Sequence, residues 1–209
     1  VVDPENDSRF TQYWQAFHQL MNRKGVSPEF AKSLVRTNTC VIGALMVHLG
    51  DADGVICGPV GRYRNHLEVL ENVIGLRDGV TKPASLTMMT MAMGQYFIGD
   101  GYVNQDPSAK ELSEFTLMAA QQIERFGVVP KIALLSHSNF GTLDNECSQK
   151  MREATTLVRL MAPHLEIDGE MHADAALDQE IRERICPNST LKGQANLLIM
   201  PNIDAAHVS

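Results

Sequence analysis

Three times in its last third the chain runs a short apolar stretch into an abrupt polar loop. Lys131-Ile132-Ala133-Leu134-Leu135 leads into Ser136-His137-Ser138-Asn139-Phe140-Gly141, Leu165-Glu166-Ile167 into Asp168-Gly169-Glu170, and Leu197-Leu198-Ile199-Met200 into Pro201-Asn202-Ile203-Asp204. Each apolar run is bounded by turn residues, as a buried strand is. Amphipathic stretches of helical length separate the three runs. The resulting β-α-β-α-β alternation predicts a parallel sheet and an α/β fold. In such sheets ligands bind beyond the carboxyl ends of the strands, so the three polar loops are expected to meet at one candidate site.

Upstream, Phe10, Tyr13, Trp14, Phe17, Leu20 and Met21 fall at helical spacing, with Gly25 as a stop. Ser27-Pro28 opens a helical region to Gly50, with a break near Arg36-Thr37-Asn38. Ala52 to Cys57 reads as a short strand entering a Gly58-Pro59-Val60-Gly61 loop, and Leu67, Leu70, Val73 and Ile74 mark the next helix. The character changes near Thr81-Lys82-Pro83, so the expected subdomains are residues 1–82 and 83–209. Ser85 to Met93 reads as a strand, and a Gly94-Gln95 turn into Tyr96-Phe97-Ile98 predicts an antiparallel hairpin. Asp106-Pro107 opens a helix through Leu112, Phe115, Ala119, Ile123 and Phe126. Another carries Cys147, Met151, Ala154, Val158 and Met161, ended by Pro163. The chain stops straight after a strand and its loop, where a covering helix would follow, so its C-terminal boundary reads as a cut.

A net charge of −7 argues against a nucleic-acid partner. No apolar run approaches the roughly 20 residues of a membrane span, so no membrane association is expected. Cys40, Cys57, Cys147 and Cys186 form no CxxC pair and read as buried small hydrophobes in a reducing cytoplasm. The histidines show no metal-binding spacing, so no zinc site is expected.

The Ser136–Gly141 loop offers hydroxyls, an amide and backbone N–H groups near a helix start. These suit a phosphate or another anion, or simply a capped β-α loop. Ser136 and His137 are adjacent and do not read as a nucleophile–base pair. Asp168 and Glu170 could bind a hydroxyl or amine in the cleft, the favoured reading, or hold basic residues in place, while Asp174 reads as a helix cap or, with them, as a weak hard-cation set. Asn202 and Asp204 are turn formers or ligand contacts. Arg62 and Arg64 follow the glycine loop, which lacks a Walker lysine, and they either meet a polyanion or lie solvated. Met88-Met89-Thr90-Met91-Ala92-Met93 reads as adaptable core filling.

Several of these segments carry a family resemblance. Ala52-Asp53-Gly54 with its glycine loop, Pro130 to Gly141, Ile167 to Glu170 with Asp174-Ala175-Ala176, and Pro201-Asn202-Ile203-Asp204-Ala205 resemble, in order, the phosphate acetyl/butyryl transferase family. Val103 to Ser108, Leu117-Met118-Ala119-Ala120 and Ala133 to Gly141 resemble in particular the C-terminal transacetylase-like domain of bacterial NADP-dependent malic enzymes. The resemblance implies two three-layer α/β subdomains of the phosphotransacetylase or isocitrate-dehydrogenase-like type, incomplete at both ends, with a cleft between them. It implies a homodimer or higher homo-oligomer in the cytoplasm. The ligand would be acetyl-CoA or CoA, held by Ser136, Ser138, Asn139, Gly141, Asp168, Glu170, Asn202, Asp204, Arg62 and Arg64. NADP and a divalent metal would belong to a malate-oxidising part outside this chain. Two departures bear on activity. The Ser-Arg pair and aspartate of active transferases would fall after Ser209. Where those enzymes commonly read Thr-Leu-Arg-Pro, this chain has His66-Leu67-Glu68-Val69, and a glutamate there repels an acyl phosphate. A regulatory acetyl-CoA-binding domain is therefore expected. The alternatives are an active phosphate acetyltransferase and a purely structural oligomerisation domain.

Overall fold

The computed structural model describes Asp3 and residues 6–209. The chain divides into two compact units, 1–81 and 82–209.

The first unit is helical among its described residues. It contains α1 (Phe10–Met21), α2 (Pro28–Thr37), α3 (Thr39–His48) and α4 (Tyr63–Val73). A turn of 3₁₀ helix at Asn22–Lys24 follows α1 and ends at Gly25, whose φ of 83° is left-handed. The Ser27 hydroxyl accepts from Phe30 N to start α2, with Pro28 in its first turn. The expected break falls at Asn38, an extended residue whose carboxamide oxygen accepts from Cys40 N and Val41 N and so caps α3. Tyr13, Phe17, Ala31, Val35, Val41, Leu45 and Val73 form the core. The strand expected at Ala52–Cys57 does not form. Residues 52–57 are irregular and Ile56 is fully exposed, because no described strand of this unit offers a ladder to pair with.

The second unit is a three-layer α/β/α arrangement. Its strands are β1 (Leu86–Met91), β2 (Gly94–Gly99), β3 (Lys131–Leu135), β4 (Glu166–Met171) and β5 (Leu197–Ile199), in sheet order β1-β2-β5-β3-β4. β1 and β2 form the predicted antiparallel hairpin, with Met91 opposite Gly94. The turn is therefore Ala92-Met93, not Gly94-Gln95. β2, β5, β3 and β4 run parallel to one another. Alternation along the strands splits the core. Phe97, Ile132, Leu134, Leu197 and Ile199 pack under α5 (Ala109–Arg125) and α6 (Glu146–Met161). Ile98, Ala133, Leu135 and Leu198 face the opposite layer, built from α7 (Ala173–Leu177), α8 (Gln179–Ile185) and α9 (Ile203–Val208).

Three boundaries differ from the sequence reading. Ser108 opens α5 with a capping box to Glu111. Asp174 lies within α7, accepting from Ala175 N, while Asp178 caps α8. Asp168-Gly169-Glu170 continues β4 and is not an exit loop. Side-chain and backbone donors on neighbouring elements let both carboxylates be buried there.

Arg182 is the largest fully buried side chain. Its guanidinium donates to the carbonyls of Ala175 (2.8 Å), Ala176 (3.4 Å), Leu191 (3.0 Å) and Gly193 (2.6 Å). One side chain thus ties α7 and the 191–193 segment to α8.

Candidate functional site

Because β2, β5, β3 and β4 are parallel, their carboxyl ends share one edge of the sheet. The segments leaving them are stitched together there. Ser136 N donates to Met171 O (2.9 Å) and Phe140 N to Glu170 O (2.8 Å). His172 N donates to Asn139 Oδ1 (2.7 Å), and the His172 ring meets the carbonyl of His137 (2.9 Å). Ile203 N reaches Gln105 O (3.0 Å), and Lys150 Nζ joins Asp106 (2.5 Å) to Pro201 O (2.8 Å).

Glu170 is the centre of this edge and has no exposed surface. Its Oε1 accepts from Ser138 Oγ (2.8 Å), Gly141 N (2.8 Å) and Arg152 Nη1 (3.1 Å), while Oε2 has no partner. Arg152 also pairs with Asp144 and donates to Leu143 O. The carboxylate thus gathers the loop after β3 around itself. Gly141 takes a left-handed φ of 89°, which turns its N–H toward Glu170. Ser138 is fully buried, and its Oγ also accepts from Leu143 N (3.1 Å). A hydroxyl so enclosed cannot reach a substrate as a nucleophile. The Ser136 hydroxyl accepts from Ser138 N (3.1 Å), and the Asn202 side chain caps α9 through Ala205 N (2.9 Å).

The residues expected to hold ligand therefore separate. Ser138, Asn139, Gly141 and Glu170 come together but are spent on one another and on the loop. Ser136, His137, Asn202 and Asp204 lie at the same edge with accessible surface. Asp168 departs from its expected ligand role. Its Oδ1 accepts from Arg159 Nη2 (2.6 Å) and Gly169 N (2.9 Å), and its Oδ2 from Ser189 Oγ (2.7 Å) and Thr190 N (2.9 Å). With two donors on each oxygen, the carboxylate is a lock between β4, α6 and the segment after α8. Arg62 and Arg64 are exposed at the start of α4 in the first unit, with no ion pair among the described residues.

The sequence reading missed Asp100, directly after β2. This buried carboxylate accepts from Ser85 N (3.1 Å), Tyr102 N (3.1 Å), Val103 N (3.2 Å) and Asn104 N (3.0 Å), and from the Ser85 hydroxyl. Its signal was present: Tyr96-Phe97-Ile98 running into Gly99-Asp100-Gly101 repeats the apolar-to-polar transition seen three times later.

A family model described as phosphate acetyl/butaryl transferase matches residues 1–209. The chain belongs to this family. Among its relatives, the NADP-dependent malic enzyme of Escherichia coli (strain K12) is 51% identical over 209 residues, all of this chain and 28% of that protein. The NAD-dependent malic enzyme of Rhizobium meliloti (strain 1021) is 50% identical over 209 residues, again all of this chain and 27% of that protein. The chain thus spans little more than a quarter of these relatives. A solved EutD phosphotransacetylase from Staphylococcus aureus superposes with a TM-score of 0.88 at 26% identity, over 99% of this chain and 63% of that one. The phosphotransacetylase-like α/β fold and the likeness to the malic-enzyme branch both hold.

Proposed function

We propose that this chain is the regulatory part of an NADP-dependent malic enzyme, binding acetyl-CoA or CoA at the carboxyl edge of the second unit's sheet. The observation that carries the reading is the match to malic enzymes along the whole of this chain, at about half identity, over little more than a quarter of their length. Within the phosphate acetyl/butaryl transferase family, the parent would oxidise and decarboxylate malate with NADP and a divalent metal in another part of the protein. The protein would act in the cytoplasm as a homodimer or higher homo-oligomer.

The edge geometry supports binding without chemistry. Ser138 is sealed, Glu170 is occupied by the loop it organises, and Asp168 is spent on Arg159, Ser189 and Thr190. Gln105 and Asp204 are exposed there, and Ser136 and His137 keep accessible surface while bonded to Ser138 N and the Asn145 side chain, so these four are the groups that would meet a ligand. Glu68, exposed on α4, places negative charge where active transferases commonly carry arginine, which disfavours acyl phosphate. An effector that binds one state of an assembly more tightly than another biases its activity, and no acyl transfer is needed for that.

The test is a thermal-shift titration of the full-length parent with acetyl-CoA, run beside malate-oxidation kinetics. A ligand at 100 times its dissociation constant stabilises by about 2.7 kcal/mol. A melting-temperature rise together with altered malate turnover is the expected result. No shift at millimolar acetyl-CoA refutes binding, and robust acetyl-CoA formation from acetyl phosphate and CoA would establish the transferase alternative instead.

A further inference from the structure

The first unit brings together three side chains that are far apart in sequence. Cys40 lies in the first turn of α3, Cys57 in the irregular segment after it, and His66 in the first half of α4. One ligand atom from each, two sulfurs and a ring nitrogen, lies within 4.8 Å of the others. From this convergence we infer a thiolate–imidazole metal site of the zinc type, with a fourth position open to an exogenous ligand.

Two soft sulfurs and one borderline imidazole form a donor set that zinc takes in its tetrahedral sites. Zinc–sulfur bonds of about 2.3 Å and a zinc–nitrogen bond of about 2.0 Å put ligand atoms roughly 3.4–3.8 Å apart. Closing from 4.8 Å requires a movement of about 1 Å, which the irregular segment carrying Cys57 can supply.

The surroundings are those of a metal-bound histidine. The His66 Nε2 is 2.8 Å from the carbonyl oxygen of Val60. A ligating imidazole commonly hands its other ring N–H to such a carbonyl, which fixes its tautomer and orientation. The Val60–Gly61 backbone can approach the ring because residue 61 is glycine. A Cβ there would lie 3.0 Å from His66 Nε2, on a backbone with φ of 106°. Cys57 and His66 also line a pocket of about 400 Å³ with Val55, Ile56, Tyr63 and Leu67. A metal held by the three side chains would turn its fourth position toward this pocket, the open arrangement of zinc sites that bind a water or a small ligand.

Cys40 is almost wholly buried, so a metal there is closed off on the side of α3. A metal bound there would hold both sulfurs as thiolates.

The experiment uses the reduced 209-residue chain, stripped with chelator and titrated with Co²⁺, which reports sulfur ligation as a near-ultraviolet charge-transfer band. One equivalent per chain, displaced by Zn²⁺, is the expected result. Zn²⁺ should also protect two of the four thiols from alkylation. C57S, in the irregular segment, should keep the far-ultraviolet circular dichroism of the parent and weaken Co²⁺ binding at least tenfold. H66Q should retain a sulfur band of altered intensity. Absence of the band, or a band unchanged in C57S, overturns the assignment. So does quantitative recovery of a Cys40–Cys57 disulfide from the isolated chain, which would make the pair a redox couple.

Discussion

Replacing Glu170 by glutamine keeps the side-chain shape and removes the charge that gathers the loop after β3. In the native chain Oε1 accepts three hydrogen bonds, at 2.8, 2.8 and 3.1 Å. A bond to a charged group contributes about 1.5–3 kcal/mol and a neutral one about 0.5–1.5. The Ser138 and Gly141 bonds become neutral and together lose about 2–3 kcal/mol, while the third keeps the charge of Arg152. The new amide nitrogen would sit where Oε2 has no partner, adding about 1–3 kcal/mol for unsatisfied buried donors. Against this, a neutral amide is easier to bury than a carboxylate, and partial exposure of Arg152 screens its share. The net expectation is a loss of about 2–4 kcal/mol. For a chain of this size that corresponds to about 6–12 °C in Tm. Urea denaturation followed by fluorescence and circular dichroism reads the free energy, and limited proteolysis within residues 138–145 reads the loop. A change below about 0.5 kcal/mol with no new cleavage would refute the reasoning. The loop would then be held by its backbone bonds, Phe140 N to Glu170 O and His172 N to Asn139, without help from the carboxylate.

Three further outcomes follow from particular contacts. R182M should cost about 3–5 kcal/mol in urea denaturation, because it deprives four carbonyls of a buried charged donor; R182K, with one ammonium, should recover only part of this. G169A should cost about 2–5 kcal/mol or abolish folding, since φ is 149° and a Cβ would lie 2.7 Å from Leu134 O; a melting curve within 3 °C of the parent would contradict the geometry. Tyr13, which burial first and then its hydrogen bond to Asp51 raise to about 12, should give a late phenolate step, above the ordinary tyrosine range, in an alkaline absorbance titration. Its folded value exceeds the ordinary value near 10, so its stabilisation is complete below about pH 10 and is lost as pH rises through about 12. Y13F should remove that late step.

The sheet was legible because β3 and β5 are buried on both faces and so read as unbroken apolar runs bounded by turns. β4 was legible only in its first half. Asp168 and Glu170 look like an exit from the strand until their partners are known, and Arg152, Arg159 and Ser189 lie 18, 9 and 21 residues away. The Ala52–Cys57 segment shows the reverse error, since β propensity without a neighbouring strand forms no ladder. The hairpin turn slipped by two residues because Gly94 is the obvious turn former, yet it serves as the first residue of β2 with φ of 145°. The loops at the carboxyl edge were placed correctly by topology. Which of their side chains face outward was not readable, because buried Ser138 and exposed His137 are adjacent in one polar run. The grouping of Cys40, Cys57 and His66 left no spacing signal, since tertiary packing alone creates it.

The two faces of the second unit's sheet are covered unequally. One carries helices of 17 and 16 residues, the other helices of five, seven and six. Helices of so few turns have little stability of their own, and Arg182 is what holds two of them in register. Amide exchange should therefore be graded across the sheet, slow in α5 and α6 and fast in α7 and α8, with opening on the short-helix side well below the cost of global unfolding. A protein layered in this way can loosen one side of a sheet while the other stays intact. Binding energy spent at the carboxyl edge would then be registered first as a change in protection of the short helices.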